Sequence, residues 1–274
     1  MAPPRAGLRS TSTGVSCADK IERERLNRRA LVTGAAAGLA AGIAPALAHD
    51  DFAHVTITYR STAPDATLAA IRAAGATADA TRIDFLDDPA TVQEALDDAV
   101  ARYGPFDTLV HAVGPLVIKR FARSTLEDYR AAFDGNVRSA ILAARATLPA
   151  MREARFGRIV FFGTIGSSHT RPFRGFSLYQ AAKSALVAFA RSLAVEEAGN
   201  GITVNVVAPG DIREKTIDRA RALERAARNP RGRAGSFEDV ADVVRFLIGA
   251  QRDFVTGAVI EVSGGLQTAA EVQD

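Results

Sequence analysis

A tyrosine and a lysine stand four residues apart in the segment Tyr179-Gln180-Ala181-Ala182-Lys183, which opens an amphipathic stretch. Residues i and i+4 of a helix share one face, so the phenol and the ammonium would be neighbours. A free phenol has a pKa of about 10, and a fixed ammonium nearby stabilises the phenolate and lowers that pKa. The spacing therefore indicates a pair that protonates a carbonyl oxygen while a cofactor delivers hydride to the carbon.

A nucleotide site is indicated by the glycine- and alanine-rich segment at residues 33–40, which directly follows the apolar run RALVT at 29–33. Gly34 and Gly38 let the backbone turn tightly and approach a pyrophosphate, and the next helix offers free N–H groups at its start. Tight packing of small residues would explain the same composition. The position directly after a first strand favours phosphate binding.

The end of the second predicted strand bears on the choice of cofactor. An NAD site usually carries an acidic residue there, hydrogen-bonded to the ribose 2′-hydroxyl. This chain reads Tyr59-Arg60-Ser61 at that point, without an acid. Arg60 can pair with a 2′-phosphate and Ser61 can donate to it, so the sequence favours NADPH/NADP+. The alternative is that Arg60 is an ordinary solvent-exposed residue after a strand.

Short apolar runs alternate with helical segments from Arg29 onward. Strands are predicted at 29–33, 54–59, 81–85, 106–113, 158–162, 203–207 and 258–262. Helices are predicted up to about residue 48 and at 64–74, 89–103, 126–155 and 178–197, with more between the last strands. Repeated strand–helix alternation with strands apolar on both faces predicts one α/β domain, a doubly wound Rossmann fold with a parallel sheet, over 29–274.

Composition excludes several other classes of protein. Hydrophobic residues make up 47% of the 274, enough for one substantial core. Lys and Arg total 34 against 31 Asp and Glu, without the basic stripe of a nucleic-acid binder. Cys17 is the single cysteine, which leaves no disulfide or cysteine-ligated zinc, and we expect no metal site. No apolar run is long enough for a membrane span, so we expect a cytoplasmic protein.

Residues 1–28 are predicted to form a disordered N-terminal tail. The segment holds prolines, a Ser/Thr/Gly run and several arginines, but no apolar stretch of a secretory signal. Asp19, Glu22 and Glu24 argue against an organelle transit peptide. A disordered extension or a mis-assigned start is therefore favoured over an address signal.

From about Arg29 to Thr268 the chain resembles the short-chain dehydrogenase/reductase family, and its 3-oxoacyl-(acyl-carrier-protein) reductase-like members in particular. The matching motifs, in chain order, are the glycine loop 33–40 for TGxxxGxG, Asp84 after the third strand, His111-Ala112-Val113-Gly114 for NNAG, Asn136, the pair Tyr179 and Lys183, the turn Pro209-Gly210, and Ser263-Gly264-Gly265. The resemblance implies seven parallel strands in the order 3-2-1-4-5-6-7 and an NADP(H)-dependent oxidoreductase.

The resemblance also implies residue roles. The catalytic residues would be Asn136, Thr164, Tyr179 and Lys183. The cofactor would be bound by Gly34, Ala37, Gly38, Leu39, Tyr59, Arg60, Ser61, Asp84, Phe85, Ala112, Val113, Gly114, Tyr179, Lys183, Pro209, Gly210 and Ile212.

The chain departs from the family pattern at three places. Ala40 replaces the third glycine of the loop, and His111 and Ala112 replace both asparagines of NNAG. The serine that normally binds the substrate oxygen is missing. Aligning the fifth strand places Thr164 there, whereas the usual spacing before Tyr179 falls near Ser167 and Ser168. A third alternative is that no hydroxyl takes this role.

The expected substrate is a small or carrier-bound carbonyl compound. The segment between Pro209-Gly210 and about residue 235, here called the lid, is rich in arginine, and Arg171 and Arg174 follow the fifth strand. A basic mouth would suit a 3-oxoacyl thioester on a phosphopantetheine arm, but Glu214, Asp218 and Glu224 are interleaved, so an ordinary mixed-charge surface is the alternative. His169 reads as a surface residue.

The sequence leaves alternatives for both the oligomeric state and the function. By resemblance we expect a homo-oligomer, a dimer or tetramer built on the two long helices, although their alanines at 140, 143, 144, 146, 185, 188 and 190 would equally suit packing on the chain's own sheet. An NADPH-dependent ketoreductase is the leading hypothesis. The alternatives are an alcohol or sugar dehydrogenase and a weakened member of the family that serves as an NADP(H)-binding sensor or assembly subunit.

Overall fold

The computed structural model describes residues 28–48, 52–169, 171–210, 212 and 214–266, and the structural statements below concern these. The predicted tail lies outside them except for Arg28, which is the first residue of the first strand rather than the last of the tail. Arg213 of the lid and Cys17 also lie outside them.

Seven parallel strands form one sheet in the order β3-β2-β1-β4-β5-β6-β7, as the resemblance implies. The strands are β1 (Arg28–Thr33), β2 (Phe52–Tyr59), β3 (Thr77–Arg82), β4 (Thr108–His111), β5 (Gly157–Phe162), β6 (Ile202–Pro209) and β7 (Val259–Val262). The sequence order reverses between β1 and β4, and ligands of such sheets bind outside the strand ends at this switch point.

Helices cover both faces of the sheet. They are α1 (Gly38–Ala48), α2 (Asp65–Ala73), α3 (Pro89–Tyr103), α4 (Leu126–Phe133), α5 (Ser139–Ala154), α6 (Ser177–Glu197), α7 (Arg219–Leu223) and α8 (Phe237–Ile248), with 3-10 turns at Phe121–Arg123 and Ala198–Asn200. One apolar cluster joins the sheet to α3, α5 and α6, and another joins it to α1, α2 and α8. None of the helices in the described part combines the length and apolar character needed to cross a bilayer.

Two elements differ from the sequence-based expectation. The third strand lies at Thr77–Arg82 instead of 81–85, because its polar residues pair with β2 at the sheet edge from Thr77 onward. Ile83 and Phe85, which suggested the strand, are buried in the core just beyond it. The long helix predicted at 126–155 is interrupted by a π-helical turn at Asp134–Arg138.

The small residues of the long helices mostly pack inside this chain. The alanines at 140, 143, 144, 146 and 190 belong to its own hydrophobic core. Ala188 is exposed and Ala185 half-buried. Own-sheet packing, the alternative to an oligomer contact, therefore accounts for five of the seven.

Candidate active site

A cleft of about 420 Å³ lies where the carboxyl ends of β1, β4, β5 and β6 meet. The sequence-predicted residues that line it are Gly34, Ala37, Gly38, Leu39, Ala112, Gly114, Thr164, Tyr179, Lys183, Pro209 and Gly210. The fold thus brings the glycine loop and the tyrosine–lysine pair, which are far apart in the sequence, into one cavity.

A second cleft of about 280 Å³ continues from the first toward β2 and β3. The predicted residues that line it are Gly34, Tyr59, Arg60, Asp84, Phe85, Ala112, Val113 and Gly114. Gly34, Ala112 and Gly114 border both clefts. The two together form an elongated site, as a dinucleotide requires.

The glycines that border both clefts are needed for close approach. Gly34 has φ 69°, and a Cβ there would lie 3.1 Å from Val113 Cγ2. Its N–H donates to Thr58 Oγ1 (3.0 Å), which ties the loop to β2. A Cβ on Gly114 would lie 2.6 Å from Asn136 Oδ1 and 2.9 Å from Lys183 Nζ. The backbone is therefore open to a ligand only because side chains are absent, and the residues fit a dinucleotide cofactor.

Helix α6 presents the phenol and the ammonium to the cleft from one face. Both residues are buried, and Lys183 Nζ lies 5.7 Å from the Tyr179 ring centroid and donates to Phe162 O (2.6 Å). Burial lowers the pKa of Lys183 to about 7 and raises the pKa of Tyr179 to about 12. The expectation of a lowered tyrosine pKa is thus wrong, because desolvation of the phenolate dominates.

Asn136 lies in the π-helical turn between α4 and α5 and is fully buried. Its Nδ2 donates to Ala132 O (2.8 Å) and Pro115 O (3.2 Å), while Oδ1 has no partner among the described residues. The turn inserts one residue into the helix and so redirects the amide toward Gly114. An unsatisfied buried acceptor beside Lys183 is available to a ligand or a water molecule.

The three hydroxyls that the sequence offers for the substrate oxygen lie in different surroundings. Thr164 lines the cleft with Tyr179. Ser167 is buried, and its hydroxyl donates to Thr164 O (2.7 Å) within a tight turn. Ser168 pairs with His169 Nδ1 (2.9 Å), and His169 is exposed. Of the three, Thr164 alone borders the cleft.

His111, in place of the first asparagine of NNAG, connects the glycine loop to the π-helical turn. Its Nδ1 lies 2.9 Å from Thr33 Oγ1, and its Nε2 lies 2.9 Å from Ser139 Oγ. Ser139 donates its one hydrogen to Gly135 O (2.8 Å), so it accepts from Nε2–H. Thr33 accepts from Ala112 N (3.1 Å) and donates to Nδ1. Burial, and then the charge of Lys183, lower the pKa of His111 to about 3, so the ring is neutral.

Two predicted cofactor residues border neither cleft. Ser61 is exposed beyond the end of β2. Ile212 is buried in the core and borders an adjacent cavity with Gly210. Asp84 borders the second cleft, with Oδ1 accepting from Leu86 N (3.0 Å).

Ion pairs around the lid favour the mixed-charge alternative over the basic mouth. Three lid arginines are engaged by acids: Arg219 with Asp239 and Asp242, Arg225 with Glu214, and Arg233 with Asp239. Arg171 stacks on Phe173. Within the described lid, Lys215 is the cation that lines the cleft.

Sequence reasoning missed several residues that line the cleft. These are Ala40, Leu116, Phe162, Gly163, Ile165, Phe173, Phe176, Gln180 and Lys215. Phe176 packs against Tyr179 with ring centroids 6.1 Å apart and at 66°. Its position three residues before Tyr179, and that of Gln180 directly after it, were the available signals.

Comparisons with known proteins agree with this geometry. A family model described as enoyl-(acyl carrier protein) reductase matches residues 34–267. The 3-oxoacyl-(acyl-carrier-protein) reductase FabG of Escherichia coli strain K12 is 33% identical over 243 residues, which cover 86% of this chain and 96% of that one.

Two solved structures are similar over the same region. A short-chain dehydrogenase/reductase from Serratia marcescens superposes with a TM-score of 0.77 at 31% identity, covering 88% of this chain and 98% of that one. A blue fluorescent protein from a metagenomic library, solved in complex with NADPH, superposes with a TM-score of 0.76 at 34% identity and the same coverage.

Proposed function

This chain belongs to the short-chain dehydrogenase/reductase family, and on that premise we propose that it reduces a ketone to an alcohol with NADPH. One observation carries the proposal. Tyr179, Lys183 and Thr164 line the same cleft as the glycine loop that begins at Gly34. A proton donor and a nucleotide site within one cavity suit hydride transfer coupled to protonation.

The cofactor we propose is NADPH, which supplies the hydride when bound. Gly34, Ala37, Gly38 and Leu39 would hold the pyrophosphate at the start of α1, and Arg60 would face the 2′-phosphate. The absence of an acid at the end of β2 supports this choice over NAD. The NADPH complex of the metagenomic relative agrees with it.

The chain's own residues account for the proton. Thr164 would donate a hydrogen bond to the substrate oxygen, and Tyr179 would transfer its hydroxyl proton to the same oxygen. Since burial raises the pKa of Tyr179 to about 12, the phenol is fully protonated at neutral pH and available as the acid. Lys183, as the ammonium, would then return a proton to the phenolate. Asn136 Oδ1, which has no partner among the described residues, can only accept and would orient that ammonium or a water molecule.

For the substrate we propose a 3-oxoacyl thioester or a similar ketone. The FabG relative, by its name, acts on 3-oxoacyl groups joined to a carrier protein. The cleft walls are largely apolar around Phe173 and Phe176, which suits a short acyl chain, and Lys215 at the rim suits an anionic carrier arm.

The test is NADPH and NADH oxidation by the purified protein with acetoacetyl thioester and a panel of ketones. We expect turnover with NADPH, and we expect Tyr179→Phe to lower kcat by a factor of about 10² to 10⁴ while leaving NADPH binding intact. Tyr129→Phe is the matched control, because Tyr129 is half-exposed and stacks on Phe133.

A different result would identify the alternative. Tight NADPH binding without turnover of any carbonyl compound would rule out the reductase and indicate a nucleotide-binding sensor. Equal loss of kcat in Tyr179→Phe and Tyr129→Phe would show that the phenol of Tyr179 is not the acid.

A further inference from the structure

The amide of Gln180 is a polar group of the cleft that the proposed chemistry leaves unused. Gln180 follows Tyr179 on α6 and lines the cleft with it. Both Nε2 and Oε1 are buried, and neither has a hydrogen-bond partner in the described part of the chain. A primary amide offers two donors and an acceptor, so burying it unpaired is unfavourable.

The other side chains of the cleft do not compete for the same ligand atoms. Thr164, Tyr179 and Lys183 line the cleft and are assigned above to the reacting oxygen and its proton, while Lys215 stands at the exposed rim. Phe173 and Phe176 contribute apolar walls. Among the polar side chains that line the cleft, the Gln180 amide is therefore the buried one left for a further hydrogen-bonding atom of a substrate.

We propose that Gln180 is a specificity-determining residue that donates from Nε2–H to a second oxygen of the substrate. The proposal rests on the proposed ketone reduction. Gln180 and Tyr179 line the same cleft, so a substrate whose carbonyl is protonated by Tyr179 shares that cavity with the Gln180 amide. The favoured class is a ketone with a second carbonyl two or three bonds from the reacting carbon.

Ser184 provides a matched control on the same helix. It lies one turn beyond Gln180, and its Oγ is also buried without a partner among the described residues. Ser184 does not line the cleft. Removal of either polar group should relieve an unfavourable burial, but only removal of the Gln180 amide should alter substrate choice.

The experiment compares wild type, Gln180→Met and Ser184→Ala on two substrates with NADPH. One is an acetoacetyl thioester, and the other is a methyl ketone of the same length in which CH₂ replaces the thioester carbonyl. We expect Gln180→Met to lower kcat/KM for the thioester about tenfold, chiefly through KM, and to change it less than twofold for the plain ketone. We expect Tm to rise in both variants and Ser184→Ala to keep the wild-type ratio of the two substrates.

Other outcomes overturn the proposal. Equal losses on both substrates, or a raised KM for NADPH, would place Gln180 in general packing or in the cofactor site. A lowered Tm in Gln180→Met would show that its amide is satisfied in the assembled protein. If wild type turns over neither substrate, the proposed function fails as well; if it turns over both and only the ratio is insensitive to Gln180→Met, the specificity role alone is wrong.

Discussion

Polar groups are satisfied in different ways at the two ends of the cleft. At the ends of β1 and β4, Thr33, His111 and Ser139 form a continuous run of hydrogen bonds inside the protein. Around α6, the amide of Gln180 has no partner in the described structure, and Tyr179 and Lys183 are buried with strongly shifted pKa values. The nucleotide end is thus preassembled, whereas the substrate end retains groups for a ligand to satisfy.

Groups that stabilise the fold and groups that are left for a ligand therefore occupy different parts of the cleft. A closed run of hydrogen bonds stabilises the fold and holds the loops that must approach a cofactor. Unsatisfied groups destabilise the free protein slightly, and they gain partners only when a substrate binds. Asn136 stands at the boundary, with its Nδ2 paired inside the protein and its Oδ1 free among the described residues.

The largest effect is expected from breaking the preassembled end. His111→Leu leaves the Thr33 hydroxyl without its acceptor in a fully buried site, and we expect the free energy of unfolding to fall by about 2 to 3 kcal/mol. His54→Leu is the control, because His54 also bonds two threonine hydroxyls but lies on β2 beside the edge strand, where one of these two bonds is exposed to solvent. We expect a loss below about 1 kcal/mol there, measured by urea unfolding. Equal losses would contradict the comparison.

His111→Leu also tests how much His111 contributes to the pH dependence of the free energy of unfolding. Folded protein keeps His111 neutral down to about pH 3, whereas an unfolded chain protonates histidine near 6.5. Between these values the unfolded state binds the extra proton, so wild type loses up to about 1.4 kcal/mol per pH unit as the pH falls below about 6.5. His111→Leu lacks this contribution, and the stability gap between the two proteins should therefore narrow on acidification. A constant gap would show that His111 is charged in the folded state.

Most of the fold was predictable because each local pattern agreed with the same architecture. Apolar strand runs alternating with helical segments predicted the parallel sheet, the family resemblance implied its strand order, and Pro89 correctly marked the start of α3. The edge strand β3 was misplaced because half-exposed polar residues carry no apolar signal. The π-helical turn at Asp134–Arg138 was also missed, since a one-residue insertion within a helix leaves the composition unchanged.

The site was predictable in its residue types but not in their electrostatics. Helical spacing placed Tyr179 and Lys183 together, but it did not reveal that burial would raise the tyrosine pKa. The lid sequence left a basic mouth and a mixed-charge surface as alternatives, and the fold pairs Arg219 with Asp242 and Arg225 with Glu214. Such pairings depend on tertiary structure, as does the lack of a described partner for Gln180.

A middle-sized effect is expected at Arg60, an exposed cation at the otherwise preassembled end. Arg60→Ala should lower kcat/KM for NADPH by a factor of about 10 to 100 and leave the value for NADH unchanged, because a charge-assisted contact to the 2′-phosphate is lost. Arg82→Ala is a nearby control, since Arg82 is already engaged through Nε with Arg60 O (3.0 Å). It should reduce the NADPH value only a few-fold. Equal reductions with both cofactors in Arg60→Ala would contradict a 2′-phosphate contact.

The smallest effect is expected at Lys215, at the rim of the substrate end. Lys215 is exposed, yet burial by the cleft wall is enough to lower the pKa of its ammonium. Solvent screening keeps the contribution of such a charge small. We expect Lys215→Met to reduce kcat/KM for a thioester with an anionic arm about two- to five-fold, with no change for a neutral ketone.

Two controls test the prediction for Lys215: high salt, and removal of a second lid cation that lies outside the cleft. Attraction between a rim ammonium and an anionic arm is screened at high ionic strength, so the difference between wild type and Lys215→Met should vanish at about 1 M salt. Arg221 is an exposed lid cation that does not line the cleft, and Arg221→Met removes the same charge from the same segment. If both variants lose the same activity, the net charge of the lid attracts the substrate, and Lys215 has no special role. If only Lys215→Met loses activity, the anionic arm of the substrate binds beside Lys215 at the rim of the cleft.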